Sequence, residues 1–350
     1  MMSSMLFAAS APGTPSHAKE AVDYVSPNIG GIGILLTATI PYVQYPYGMA
    51  RVAPVTTPGT TDRYLANKIY GFSAGPATLI ASVGKAGTAS ADFASDFDHD
   101  FEMSTPYYYA VDLLTWKIKA ELTTTARAAI YRFTFPADQD AHLDFSMGKD
   151  AEVSAVGSNV IEGSAPFADP VAASNGKNGE TREYFYAEVY KPFASSSTWK
   201  NMQTSHSTRN AKDGVGLVTN FSTTAGEVLE VRVGISYIST EQAQRNLREE
   251  IPTWAFGPVE SKARAVWNDA LNKIATVGGT EKQRTIFYTA IYHALGRMTD
   301  ITEDGKYFSG YDHSVHETDG HDFYVDDGLW DTYRSLHPLQ LLMDANRQQD

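Results

Sequence analysis

A β-sandwich followed by helices that begin a larger helical unit is the fold class this sequence predicts. Three observations predict it. Several segments between residues 100 and 240 alternate apolar and polar side chains with the period of two of a half-buried strand. Beyond Thr240 that alternation stops, and apolar residues recur at the three- and four-residue spacing of a helix face. Finally, Leu339, Leu341, Leu342 and Met343 look like a helix entering a core. Two or three helices bury one another poorly, so residues 280–350 read as the apparently truncated start of a helical domain.

Each element has its own signal. Trp116, Ile118, Ala120 and Leu122 alternate with Lys117, Lys119, Glu121 and Thr123. Ala129, Tyr131, Phe133 and Phe135 then share a face opposite Arg132 and Thr134. The Thr-rich residues 123–125 between the two runs predict an antiparallel pair. Leu229, Val231, Val233, Ile235 and Tyr237 alternate with Glu230, Arg232, Gly234 and Ser236. Residues 107–113, 143–147, 183–189 and 215–221 are further strands. Many short strands divided by Gly, Ser and Asn predict two packed sheets. Ser174-Asn175-Gly176-Lys177-Asn178-Gly179 reads as a loop or hairpin tip.

The helical part starts with residues 241–250, which are rich in good helix formers. After Gly257-Pro258, the residues Val259, Ala263, Val266, Ala270, Leu271 and Ile274 lie on one face, and Gly278-Gly279 ends that unit. Thr280 and Gln283 predict a capping box. Phe287, Ala290, Ile291, Ala294, Leu295 and Met298 make the apolar face of the helix it opens. The expected domains are a disordered or signal remnant at 1–20, a sandwich at 21–240, linking helices at 241–279 and a further domain starting at 280.

Composition narrows the chemistry. The 350 residues carry 41 acidic and 28 basic side chains, a formal charge of −13, which argues against nucleic acid or anionic lipid as the main partner. The absence of cysteine excludes disulfides, thiolate zinc sites, iron–sulfur clusters and a cysteine nucleophile. The 20 Tyr and 5 Trp suit a sugar-binding surface or a β-rich core. No run of apolar residues is long enough to span a membrane as a helix. Residues 5–12 are apolar and Ser16-His17-Ala18 resembles a cleavage site, but no Lys or Arg precedes them. A signal peptide is therefore not clearly present, although export is expected.

The densest polar cluster holds His313, His316, Glu317, Asp319, His321, Asp322, Asp326, Asp327, Asp331, Arg334 and His337. His313 and His316 are three apart with no helix evident, which is poor zinc spacing. Asp319, Asp322, Asp326 and Asp327 offer hard oxygens suited to calcium, in an order unlike an EF-hand, and a solvated acidic loop is the alternative. In Gly328-Leu329-Trp330-Asp331-Thr332-Tyr333-Arg334, a helix would put Trp330, Asp331 and Arg334 on one face. A ring beside a carboxylate and a guanidinium suits a sugar; a structural Asp331–Arg334 pair with Trp330 in a core explains it equally. Gly30-Gly31-Ile32-Gly33 lacks phosphate-loop spacing and reads as a strained turn. Phe97-Asp98-His99-Asp100 is a loop cluster without an assigned role, and no Gly-x-Ser-x-Gly elbow is present.

Read together, several motifs resemble glycoside hydrolase family 92, the calcium-dependent exo-acting α-mannosidases. They run from Tyr24-Val25-Ser26-Pro27-Asn28-Ile29-Gly30-Gly31 through Tyr47-Gly48-Met49 and Ile69-Tyr70-Gly71-Phe72-Ser73. Tyr107-Tyr108-Tyr109-Ala110-Val111, Glu121-Leu122-Thr123-Thr124-Thr125-Ala126-Arg127 and Tyr131-Arg132-Phe133-Thr134-Phe135-Pro136 follow. The most specific are Phe287-Tyr288-Thr289-Ala290-Ile291-Tyr292-His293, Tyr307-Phe308-Ser309-Gly310-Tyr311-Asp312 and Leu329-Trp330-Asp331-Thr332-Tyr333-Arg334-Ser335-Leu336-His337-Pro338-Leu339.

The resemblance implies an N-terminal sandwich, linking helices and an (α/α)6 catalytic barrel, with the site between domains. It implies hydrolysis of terminal α-mannose in N-glycans or mannans by an inverting mechanism, with calcium (Ca2+) helping to distort the sugar. Asp331 would contact the terminal mannose, with Trp330 and Arg334 beside it. The acid, the base and most calcium ligands would fall beyond Asp350, so no catalytic residue and no metal ligand is assigned in this chain, and residues 1–350 alone are expected to be inactive. Two loops that the resemblance places at the site depart from the family pattern. Ala74-Gly75-Pro76-Ala77-Thr78 replaces a His- and Gly-rich stretch, and Gly31-Ile32-Gly33 replaces Thr-Gly-Gly. The alternatives are a non-catalytic carbohydrate-binding or domain-docking sandwich, or another sandwich-plus-barrel glycosidase or phosphorylase.

Overall fold

A computed structural model describes residues 18–33, 38–56, 63, 65–167, 181–200, 203–205, 209–211, 215–325 and 332–350. Residues 174–179, the expected hairpin tip, and the N-terminal stretch at 5–17 lie outside these.

The first strands are β1 (Pro54–Thr56), β2 (Lys68–Ala74), β3 (Ala77–Val83), β4 (Ser95–Asp96), β5 (Met103–Ser104) and β6 (Tyr109–Leu113). Then come β7 (Ile118–Thr124), β8 (Ala128–Phe135), β9 (Asp138–Met147), β10 (Glu152–Val156), β11 (Val160–Pro166) and β12 (Arg182–Val189). The last of the sandwich are β13 (Ser195–Lys200), β14 (Gln203–Ser205), β15 (Arg209–Ala211), β16 (Val215–Thr223) and β17 (Glu227–Ser236). One sheet runs β1-β2-β3-β9-β16-β13-β14 with β4 on β2, and the other β15-β10-β11-β12-β17-β8-β7-β6-β5.

β7 and β8 pair antiparallel, as the Thr-rich turn predicts. Between the sheets lies one apolar core, in which Phe145 stacks on Phe185 with centroids 5.8 Å apart.

Alternation alone predicts an outer face turned to water. Much of it is buried instead, because helices lie on it. α1 (Thr240–Glu250) starts at Ser239, whose hydroxyl accepts the Gln242 N–H at 3.2 Å. It packs so closely on β17 that a Cβ on Gly234 would stand 2.0 Å from the Ala243 carbonyl oxygen. α2 (Phe256–Leu271) begins before Gly257-Pro258 rather than after it. Proline is tolerated there, since the first-turn N–H groups have no intrahelical acceptor. Under α2, Glu121 accepts from Arg132 at 2.8 and 3.1 Å and from the Tyr108 hydroxyl at 2.7 Å. Phe256 caps the Arg132 guanidinium at 4.2 Å.

α3 (Glu281–Leu295) carries the predicted box: Thr280 and Gln283 satisfy each other's backbone N–H groups at 2.9 and 3.3 Å. A second cluster joins Trp267, Leu271, Tyr288, Ile291, Tyr292 and Leu295 to Ala21, Val22 and Val25, so the first described residues pack on helices rather than in the sandwich. Short pairs follow: β18 (Thr299–Asp300) with β21 (Tyr324–Val325), and between them the hairpin β19 (Lys306–Ser309) and β20 (Ser314–Glu317). α4 (Leu336–Met343) comes last.

Candidate functional site

Residues 38–53 form a strap between sandwich and helices, closed by the reciprocal Val43–Val52 backbone bonds at 2.8 and 2.9 Å. Tyr47 has φ 61°, a conformation few non-glycine residues adopt. That geometry lets its N–H donate to the Leu295 carbonyl at the end of α3 while its carbonyl accepts from the Asp300 N–H, both at 2.9 Å. The Arg347 guanidinium lies 4.8 Å from the Tyr47 ring centre. Tyr292 donates its hydroxyl to the Tyr42 carbonyl at 2.6 Å, and Trp267 donates to the Gln44 carbonyl. Arg51 donates to the Gly296 carbonyl at 3.0 Å and to the Thr299 hydroxyl. The Tyr47-Gly48-Met49 motif is thus a docking element for the end of α3.

Two of the cavities beside this strap share Thr39 as a wall. Thr39 is set by the turn before it. Gly30, at φ +92°, accepts the Thr39 N–H at 2.8 Å, and a Cβ on Gly30 would stand 2.5 Å from the Thr39 hydroxyl oxygen. The Gly-rich stretch is the turn its sequence predicts.

The larger cavity, about 580 Å³, opens between the strap and the C-terminal end of α3, with Gln44, Arg51, His293 and Arg297 in its wall. Burial lowers the His293 pKa and favours the neutral imidazole, against a backbone hydrogen bond with Ile29 that favours the charged form. The Gln44 side-chain oxygen is buried without a partner among the described residues, an acceptor held ready for a donor.

The smaller cavity, about 180 Å³, has Arg63, His99, Asp100 and Glu102 as polar walls and Pro41, Pro54 and Phe97 as apolar ones. Its geometry starts from Asp98, whose carboxylate accepts the Asp100 N–H at 2.9 Å and turns the chain into a short 3-10 helix, His99–Phe101. Glu102 then takes the Tyr109 hydroxyl at 2.6 Å on one oxygen and His99 Nδ1 at 2.8 Å on the other. His99 Nε2 faces the Ala66 carbonyl at 3.2 Å, so both ring nitrogens face acceptors. Burial, then the Glu102 charge, pushes the Tyr109 hydroxyl well up. Arg63 donates to the Thr56 hydroxyl at 3.2 Å, while its Nε is buried without a partner among the described residues. Charged donors and acceptors beside apolar ring-sized faces are the chemistry that holds a polyhydroxylated ring.

Trp330 and Asp331 lie outside the described residues, as do Asp326 and Asp327. Arg334 belongs to a 3-10 turn, Thr332–Arg334, and its Nε donates to the Tyr333 hydroxyl at 2.9 Å; the α-helix starts only at Leu336. That segment is nonetheless tied to the corner of the larger cavity. The buried Gln340 amide donates to the carbonyls of Ala294 at 3.1 Å and Arg297 at 2.9 Å. In the acidic cluster, His316 bonds Asp312 at 2.8 Å and His321 bonds Asp350 at 2.7 Å. Among the described residues no three His, Asp or Glu side chains converge on one point, so they do not fit a calcium cage.

Sequence reasoning missed Arg51, Arg63, Glu102 and His293 as members of this site. His99 stood in a cluster without a role; the signal that identifies it is Glu102 three residues on, within reach across one tight turn.

Residues 24–236 match the N-terminal domain of glycosyl hydrolase family 92, and residues 242–350 match its catalytic domain. An uncharacterized secreted glycosidase of Arthroderma benhamiae is 27% identical over an alignment of 240 residues that covers 60% of this chain and 30% of that protein. A family GH92 inverting mannosidase from Bacteroides thetaiotaomicron has a similar structure at TM-score 0.82 and 26% identity, over 92% of this chain and 46% of that one. An α-mannosidase of the same family and organism shares the fold at TM-score 0.82 and 24% identity, over 93% of this chain and 48% of that one. The chain therefore spans less than half the length of each of these relatives.

Proposed function

The chain belongs to glycosyl hydrolase family 92, and from that premise we propose that it is part of an exported, exo-acting α-mannosidase. Its substrates would be terminal α-mannosides of N-glycans or mannans, cleaved with inversion at the anomeric carbon and with calcium assistance. The domains would be a sandwich at 21–240, linking helices at 241–279 and the start of an (α/α)6 catalytic domain at 280–350. Export draws support from the secreted fungal relative, and no helix among the described residues is long and apolar enough to cross a membrane.

One observation carries the reading: two cavities with charged groups in their walls share Thr39 where the strap meets the end of α3, and the segment after Asp331 is anchored to that same corner. In this arrangement Arg63 donates to sugar hydroxyls, His99 holds Glu102 in place, and neutral His293, with one ring nitrogen on the Ile29 backbone, offers the other. Asp331 accepts a hydroxyl pair of the terminal mannose, beside Trp330 and Arg334. Glu102, held by His99 and Tyr109, orients rather than transfers a proton. Inversion needs a carboxylic acid and a carboxylate about 6.5–9.5 Å apart with a water between them. Neither is assigned to a described residue.

The test uses the protein that carries this chain. Release of mannose from an aryl α-mannoside, with the anomer of the fresh product read by NMR, should give β-mannose and should fall on chelation. Release of α-mannose, or cleavage of an α-glucoside in preference, would overturn the reading.

A further inference from the structure

The turn that closes α3 is held from outside the helix. A helix end leaves its last carbonyls without intrahelical donors, yet each carbonyl from His293 to Arg297 has one. The Gly296 N–H donates to His293 at 3.3 Å, the Tyr47 N–H to Leu295 at 2.9 Å, and the Arg51 guanidinium to Gly296 at 3.0 Å. The other two, Ala294 at 3.1 Å and Arg297 at 2.9 Å, share one donor, the side-chain amide of Gln340 on α4. One NH2 group thus spends both protons across the turn.

Gln340 is fixed in that role. Its residue is 1% exposed, and its own oxygen faces the Gln348 amide at 3.4 Å. Flipping the amide would set that oxygen against two carbonyls. α4 is tied down as well: Asp344, just past its end, accepts from Lys273 at 2.7 Å, and Arg347 lies against the Tyr47 ring. On the other side of the turn, His293, Gly296 and Arg297 stand in the wall of the larger cavity, with Arg51 of the strap, whereas Gln340 is not part of that wall. Burial is the main cause that lowers the His293 pKa, so its titration reports how the turn is seated.

We propose that Gln340 is a positioning residue for the larger cavity: its amide sets the end of α3 so that His293 and Arg297 meet the bound sugar, while Gln340 itself never touches it. Without that amide two carbonyls lose their donors, and the turn must open to water to regain them, carrying His293 with it. The choice of sugar rests on the mannosidase reading; the seating of His293 does not.

The protein that carries this chain is compared with Gln340→Met, which matches the side chain in shape and removes both protons, and with Gln340→Glu. Mannose affinity is read by calorimetry, KM and kcat on an aryl α-mannoside, and the His293 imidazole by NMR titration, its signal assigned by loss in His293→Asn. All are measured well below each thermal midpoint. Gln340→Met should weaken mannose about tenfold and raise KM in proportion with kcat nearly unchanged, and His293 should titrate higher than in wild type. Gln340→Glu donates one proton when neutral and none when ionised, so its affinity relative to wild type should fall as pH rises from about 5 to about 8. A lowered thermal midpoint with wild-type affinity and an unmoved His293 titration overturns the proposal and leaves Gln340 a structural residue. If Gln340→Met does not fold, a Gln340→Glu affinity that tracks wild type at every pH overturns it too. Wild type that neither binds mannose nor cleaves the aryl mannoside sinks the mannosidase reading alone, and the His293 titration then decides the role of Gln340.

Discussion

The Arg51 guanidinium donates to the Gly296 carbonyl at 3.0 Å, joining two residues 245 positions apart in the chain. It places a cation where the terminal carbonyls of α3 lack helical partners. Arg51→Leu removes this tie and leaves the carbonyl unpaired. It should lower stability by about 1.5–3 kcal/mol and weaken mannose binding as well. Thermal midpoint and sugar affinity check this together; a variant that loses neither would show that the strap is held by its other contacts alone.

Glu102 is the hinge of the smaller cavity. Glu102→Ala strands the buried Tyr109 hydroxyl and should cost about 1–3 kcal/mol. Tyr109→Phe made in that background should recover part of the loss. Urea unfolding of the two single variants and the double variant measures the coupling, and strict additivity would contradict the network.

Asp144 sits at 0% exposure, accepting from the Trp199 indole at 2.8 Å and from the Ser146 hydroxyl. Burial is the main cause that raises it from 3.8 to about 7. The native state thus holds a proton that the unfolded chain releases near pH 4. Native stability from this group is present below pH 4 and is lost as pH rises to about 7. Asp144→Asn keeps both bonds without the charge, so its advantage over wild type should grow by about 1.4 kcal/mol per pH unit across that window. Denaturant midpoints at pH 4, 5.5 and 7.5 decide it; an advantage independent of pH would mean Asp144 is ionised at all three.

Gly234→Ala drives a methyl group into the Ala243 carbonyl, at 2.0 Å before relaxation. Backbone cannot swing aside as a flexible side chain does, so α1 must shift from β17. The expected loss is about 1–3 kcal/mol, seen as a lower thermal midpoint. An unchanged midpoint would show that α1 rides loosely on the sheet.

Asp331→Ala, in the protein that carries this chain, should lose most mannose release while its thermal midpoint stays near wild type. Retained turnover would return this motif to a purely structural role.

Strand alternation at 229–237 and the Thr280–Gln283 pair were legible because each is local: a two-residue period, and a hydroxyl three residues from an amide. The same locality limited the reading at Glu121, which alternation assigns to water. α2 buries it from 135 positions away (Phe256 against Glu121), and its charge is then met by Arg132 and Tyr108. Tyr47 likewise reads as a motif residue in sequence, yet its left-handed backbone serves Leu295 and Asp300, which no local pattern connects to it.

By itself the sequence determined the class of chemistry excluded, the two-part architecture, the helix cap at Thr280 and the family. These depend on composition, periodicity and motifs that neighbouring residues carry together. Only the tertiary structure decided that Thr39 stands between two cavities, that His99 and Glu102 face one of them, and that Asp144 is enclosed without solvent. A cavity or a desolvated carboxyl is a property of space enclosed by distant segments. The free energy of that enclosure depends on which groups exclude water together, and no single stretch of chain contains that information.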